Sequence, residues 1–457
     1  MKRVGLLLGV ASLLAAAPVT AGAVDPVADA KAILERSVAF RTVPGQGQVP
    51  AYAAYLASVL KQAGFADADI EITPMGETAT LLLHYRGTTA ASPLVLIGHM
   101  DVVEAKEADW GHDPFTPVEE DGYIVGRGVV DNKFDVSMMV ATLARLKREG
   151  YRPRREIILA LSGDEETDGA TARALAPRLK GAEMVLNGDA GGGGYSSDFQ
   201  PVSFAIHAGE KTYADYQIEV TDPGGHSSAP TPTNAIYRLA RILGRIEAYH
   251  FPNQANDLTR ASLRSVGKRI GGEVGAAMIR FADDPADTRA ADQIAAYPEY
   301  IGQIRTTCVA TMASAGHALN ALPQRATANI NCRIFPGVSI ESVREELERV
   351  AADSTAMVAI VDDPMASDAS PLRPDLMKAV AKQLHARFPK LEVTPSMSAG
   401  ATDGLYYRAA GLPSYGISPL FERPEDSFAH GLNERVRIAE IAPALAFYRG
   451  LIVDLTR

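Results

Sequence analysis

The sequence predicts an α/β fold: a mixed, largely parallel sheet with a smaller βαββαβ sheet of ferredoxin-like order inserted into it. Three observations predict this. Short apolar strands alternate with helices up to about residue 210, the order that builds a parallel sheet between helical layers. Polar residues cluster just after the predicted strand ends, where open α/β sheets place their ligands. Near Lys211 the pattern changes to half-exposed alternating strands, and after Pro364 the first pattern resumes. A length of 457 residues also exceeds one ordinary core, so two units are expected.

The elements follow in chain order. Lys2 and Arg3 precede the apolar run from Val4 to Ala17, and small residues follow to Ala21 and Ala23. That order reads as a secretory signal peptide over residues 1–23, removed on export to the periplasm or the cell exterior. The apolar run is shorter than the roughly 20 residues that span a bilayer, and no later segment is apolar enough to do so. Helices are expected over Ala28–Phe40 and Tyr52–Ala63, and strands over Leu81–Tyr85 and Leu94–Ile97. A helix over Val136–Glu149, a strand over Glu156–Leu161, a helix over Ala172–Leu179 and a strand over Met184–Leu186 complete the first part of the large unit, residues 24–210. The inserted unit, residues 211–366, takes strands Tyr213–Val220, Ile304–Met312, Arg325–Phe335 and Ala356–Ile360, with helices Thr233–Ala248 and Ile340–Val350. His250–Tyr300 is long for a bare loop, and its pattern assigns it no regular structure. Residues 367–457 return to the large unit with a helix over Leu376–Phe388, a strand over Leu391–Thr394, a Gly-rich turn and a helix over Arg437–Val453.

Composition narrows the function. Hydrophobic residues make up 47% and charged residues 22%, the balance of a globular protein. A net charge of -10 offers no basic surface to a phosphate backbone, which argues against nucleic-acid binding. Two cysteines cannot make a disulfide framework. Cys308 and Cys332 each fall in a strand-like segment, and both one bridge and two buried thiols are open readings.

Five places offer metal-type ligands just after predicted strand ends: His99 with Asp101, Asp131, the pair Glu165-Glu166, Asp189, and His430. Each alone reads as loop polarity or a solvated charge. Together they interrupt apolar strand ends, and carboxylates crowded there repel one another unless cations compensate them. Imidazole mixed with carboxylate suits Zn²⁺, with Mn²⁺ or Co²⁺ as alternatives. A serine hydrolase lacks its Gly-x-Ser-x-Gly elbow here.

At these residues the chain resembles the M20 family of metallopeptidases. The matching pieces, in order, are Gly98-His99-Met100-Asp101-Val102-Val103, Trp110 to Phe115, Gly126 to Lys133, Gly163-Asp164-Glu165-Glu166, Gly224 to Ser228, and His430 to Glu434. The Trp110 to Phe115 piece resembles the carboxypeptidase S-like branch. The resemblance implies a metallopeptidase domain with a lid and dimerisation domain inserted in it. It implies two Zn²⁺ ions, one held by His99, Asp131 and Asp189 and the other by Asp131, Glu166 and His430, with Asp131 bridging. Asp101 would orient His99, Glu165 would be the general base, and His226 would stabilise the oxyanion, often in the other subunit's site. Asn320, Arg333, Gly400 and Thr402 would contact substrate, Arg333 gripping a terminal carboxylate and Thr402 donating a hydrogen bond. Asn132 departs from the acidic residue common beside the bridging aspartate. The expected activity is a carboxypeptidase or dipeptidase acting beside a free carboxylate, with an N-acyl-amino-acid amidohydrolase as the alternative. Its partners would be that peptide or N-acyl amino acid and a second copy of the chain.

Overall fold

The computed structural model of the chain describes residues 25–398 and 400–457. The signal-peptide segment lies outside the described residues. At the centre of a ten-stranded mixed sheet, Leu94–His99 runs parallel to Ile157–Ser162 on one side and to Met184–Asn187 on the other. Ser414–Gly416 continues the parallel set. The three central strands are buried along their whole length, which is why they read as unbroken apolar runs rather than alternating ones. Successive side chains still part to opposite faces. Leu94 and Leu96 join a large core with helices Pro26–Val38, Val49–Gln62, Lys133–Arg148, Pro374–Arg387 and Ile441–Thr456. Val95 and Ile97 join a second core with Ala170–Arg178 and Gly404–Ala409.

The chain leaves this sheet between Glu210, the last residue of Pro201–Glu210, and Thr212, the first of Thr212–Thr221. The smaller sheet is antiparallel throughout, in the order Thr307–Ala315, Arg325–Ile334, Thr212–Thr221, Ala356–Val361. Helices Ala235–Ala248 and Ile340–Ala351 cover one face, burying Tyr216, Ile218, Ile242, Ile330 and Leu347. Cys308 and Cys332 stand opposite each other in register and are disulfide-bonded, so the thiol reading is set aside. Among the described residues no helix is long and apolar enough to cross a membrane.

The structure fills one unassigned stretch, moves one helix start and adds one strand. His250–Tyr300 is mostly helical, with Asp257–Ile270, Gly272–Asp283, Thr288–Ala295 and Pro298–Ile301 packed around Met278, Phe281 and Ile294. These helices dock on the large sheet: Leu258 enters the large core, and Ser265 Oγ lies 2.8 Å from Thr394 Oγ1 on strand Val393–Ser398. Within residues 211–366, this helical segment thus makes contacts with the large sheet. The last helix starts at Ile441 rather than Arg437, because Pro443 is tolerated only in a first turn. Strand Pro201–Glu210, absent from the expected elements, supplies the approach to the smaller sheet.

Candidate active site

The metal-type residues converge at one end of the large sheet. His99 ends its strand fully buried. Its Nδ1–H donates to the backbone carbonyl of Asp101 at 3.0 Å, since a carbonyl can only accept, and this turns Nε2 toward the acids. Nε2 lies 2.9 Å from Asp131 Oδ1 and 3.4 Å from Asp189 Oδ1. The other imidazole approaches the opposite oxygen: His430 Nε2 lies 3.2 Å from Asp131 Oδ2 and 2.9 Å from Glu166 Oε1. Asp131 thus presents one carboxylate oxygen to each histidine. Two groups, His99 with Glu165 and Asp189, and His99 with Asp131 and Glu166, bring their ligand atoms close enough for metal ions.

Each of these residues is held from behind. The Asp101 carboxylate accepts from the backbone N–H of Glu165 at 3.1 Å and of Glu166 at 3.0 Å. It stands 3.5 Å from His99 Nδ1, so it fixes the acidic loop, while its backbone carbonyl orients the ring. The far end of the loop is closed by Asp164, which accepts from Ala170 N and Thr171 N. Asp131 is placed by Glu434, whose fully buried carboxylate accepts from Gly128 N, Val130 N and Asp131 N at 2.8 to 3.0 Å. Arg127 pairs with Glu434 at 2.8 Å, donates to the carbonyls of His430 and Gly431, and lies 5.3 Å over the Trp110 ring. One buried ion pair therefore ties the Asp131 turn to the His430 loop. Asn132 bridges two strand ends, accepting from His99 N and donating to the Gly188 carbonyl. A Cβ on Gly98 would stand 2.6 Å from Asn132 Oδ1, which is why a glycine precedes His99.

The electrostatics show acids crowded beyond what two imidazoles neutralise. Burial, then the charge of Asp189, pushes the Glu165 carboxyl up to about 10. Burial likewise raises Glu166 to about 7 and Asp189 to about 6. Asp131 goes the other way: burial opposes ionisation, but bonds from His430 and His99 hold its carboxyl below the usual range. His430 rises to about 9, chiefly through its bond to Asp131. Cations are the chemistry this donor set fits: imidazole nitrogens and carboxylates in excess, with His99 shared by both groups and Asp131 facing both imidazoles.

Of the residues expected to meet substrate, His226, Asn320 and Arg333 stand on the smaller unit, and Thr402 is already engaged. His226 and Asn320 come together on an exposed ribbon, Gly225–His226 paired with Ala321–Leu322, where Ser227 N donates to the Asn320 carbonyl at 2.9 Å. Ser228 N–H donates to His226 Nδ1 at 3.2 Å, leaving Nε2 to carry the outward hydrogen. Arg333 stands on the smaller sheet with its guanidinium 4.6 Å from the Tyr213 ring centre. Thr402 is not free to donate outward. Its hydroxyl donates to Glu210 Oε1 at 2.9 Å. Gly400 is exposed and its φ lies outside the left-handed region, so the backbone there does not require glycine. Sequence reasoning gave no role to three buried acids, Glu434, Asp403 and Asp135. Asp403 accepts from Ser162, and burial lifts it to about 8. Asp135 accepts from Tyr448 and Ser418. The readable signal was an acid on an otherwise apolar helix face, as Asp135 is beside Met138 and Met139.

Comparison with known proteins completes the picture. The sequence model of peptidase family M20/M25/M40 matches residues 95–454. The N-fatty-acyl-amino acid synthase/hydrolase of Homo sapiens is 29% identical over 374 residues, covering 79% of this chain and 73% of the relative. Aminoacylase-1 of Sus scrofa is 25% identical over 427 residues, covering 91% of this chain and 92% of the relative. The crystal structure of an M20 family metallo-carboxypeptidase from Sulfolobus solfataricus matches with a TM-score of 0.66 at 17% identity, covering 93% of this chain and 98% of that one. At that identity the likeness is one of fold.

Proposed function

Because the chain belongs to peptidase family M20/M25/M40, we propose that this metal-dependent hydrolase is an exported N-acyl-amino-acid amidohydrolase that splits the amide beside a free carboxylate. The observation that carries it is Asp131 offering opposite oxygens to His99 and His430. The relatives named above support the acyl side of the choice. A carboxypeptidase or dipeptidase is the second reading, and it rests on Asp rather than Glu at position 189. The Trp110 to Phe115 segment supports placing the chain near the carboxypeptidase S-like branch.

His99, Asp131 and Asp189 would hold one Zn²⁺, and Asp131, Glu166 and His430 the other, with Mn²⁺ or Co²⁺ as substitutes. Bound cations supply Lewis acidity and acidify water. Glu165 takes the proton from the attacking water at its carboxylate and delivers it to the leaving nitrogen. His226 directs its Nε2–H at the oxyanion, from the same subunit or a partner. Arg333 grips the substrate carboxylate. The disulfide supports export to an oxidising compartment. The exposed edge strand Thr307–Ala315, with Val309 and Met312 outward, supports pairing with a second copy.

A mass-spectrometric panel of N-acyl amino acids, dipeptides and longer peptides, with Zn²⁺, Mn²⁺ and Co²⁺ and after chelation, tests this. N-acyl amino acids should be cleaved fastest, and chelation should stop turnover. Preference for free dipeptides would put the second reading first, and full activity after exhaustive chelation would end both.

A further inference from the structure

Glu210 is the last residue of the large sheet before the chain enters the smaller one. Its carboxylate is 2% exposed and serves three donors: Thr402 N at 2.8 Å, Thr402 Oγ1 at 2.9 Å and Arg408 Nη2 at 2.6 Å. Thr402 Oγ1 in turn accepts from Asn187 Nδ2 at 3.1 Å, and Asn187 Oδ1 accepts from the backbone N–H of Asp189 at 2.9 Å. The chain of bonds has a direction. A carboxylate can only accept, so the Thr402 hydroxyl must donate to it. That leaves Oγ1 as the acceptor facing Asn187, so the amide must turn its NH₂ toward Thr402 and its oxygen toward Asp189. The Asx turn that presents Asp189 is thereby set from Glu210.

We propose that Glu210 is a positioning residue for Asp189, acting through Thr402 and Asn187 to fix the turn that offers this carboxylate to one of the two cations. The inference rests on the metal-site reading above. Lys211 adds a second fastening at the same junction, its Nζ donating to the Arg305 carbonyl at 3.0 Å and its backbone N–H to the Ser398 carbonyl at 3.0 Å. Glu210 thus stands where the small sheet is anchored, and the same carboxylate sets the metal-facing turn.

Glu210→Gln breaks the set: Oε1 accepts from both Thr402 Oγ1 and Arg408 Nη2 and Oε2 accepts from Thr402 N, so an NH₂ at either place meets a donor and the hold on Thr402 and Asn187 is loosened. Metal titration of the full chain by calorimetry, with stoichiometry by elemental analysis, reads the effect. The unsubstituted protein should bind two equivalents of Zn²⁺. Glu210→Gln and Thr402→Val should each weaken one equivalent by about 10–100-fold, the usual loss when a partner behind a ligand is removed. The other equivalent should be unchanged, and Thr402→Ser, which keeps the hydroxyl, should bind both as before. If Glu210→Gln fails to fold because Arg408 is left buried beside an amide, the Thr402→Val and Thr402→Ser pair decides. Equal affinities in Thr402→Val and Thr402→Ser, or equal weakening of both equivalents, would overturn the proposal while leaving the metal site standing. No Zn²⁺ bound by the unsubstituted protein would remove both.

Discussion

At the end of the large sheet, Glu434 gives its carboxylate to three backbone N–H groups and Asp101 gives its own to two, whereas His226 on the smaller unit is partnered by its neighbour Ser228. The first region is buried and held from behind; the second is an exposed ribbon bonded within itself. The difference follows from the chemistry asked of each. Crowded carboxylates raise one another's pKa and must be fixed by bonds that do not depend on a ligand. On the exposed ribbon, among the described residues, no such acids are crowded, and the bonds of His226 run to its neighbour Ser228. The large sheet therefore carries the crowded charges, and the ribbon does not.

Three experiments test this division, beginning with the largest effect. Glu165→Gln removes the base and keeps the volume, so kcat should fall by about 10²- to 10⁴-fold. Zn²⁺ stoichiometry and melting temperature should hold. Turnover at the original rate would move the proton chemistry to another group. Next, replacing both Cys308 and Cys332 by Ser opens a link between residues 24 apart in sequence, which loop-closure entropy values at about 3 kcal/mol. Hydrogen exchange should place the loss in Thr307–Ala315 and Arg325–Ile334 and spare Leu94–His99. Equal deprotection of both sheets would show that they do not differ in stability as their separate cores imply. The smallest effect belongs to the junction. Burial, with Arg333 nearby, lowers Lys211 from 10.5 to about 7. Between those values the unfolded chain holds a proton that the folded chain lacks, so stability rises with pH through that window. Lys211→Met should flatten the rise, read as the difference in melting temperature from pH 7 to pH 10. An unchanged slope would place the rise on other groups.

Much of this was readable in the linear chain, and what was not has physical causes. The central strands announced themselves because burial on both faces makes them continuously apolar. His99, Asp131, Glu165, Glu166, Asp189 and His430 could be listed because each breaks such a run or follows a glycine turn. Their supports were harder to see. Glu434 looks like any surface glutamate until its three backbone donors are brought to it by a fold that joins positions 306, 304 and 303 residues apart. Thr402 reads as a loop hydroxyl open to substrate, and only the packing of strand Pro201–Glu210 beside it shows that its proton is already taken.

By itself, then, the chain determined the fold class, the insertion of a second sheet and the identity of the metal-type side chains, since these depend on local periodicity and on the chemistry of single residues. Tertiary structure alone decided which oxygen of Asp131 meets which imidazole, where the 257–301 helices dock, and that Cys308 faces Cys332. Those facts turn on distances between residues remote in sequence, and only the closed packing of the sheets sets them.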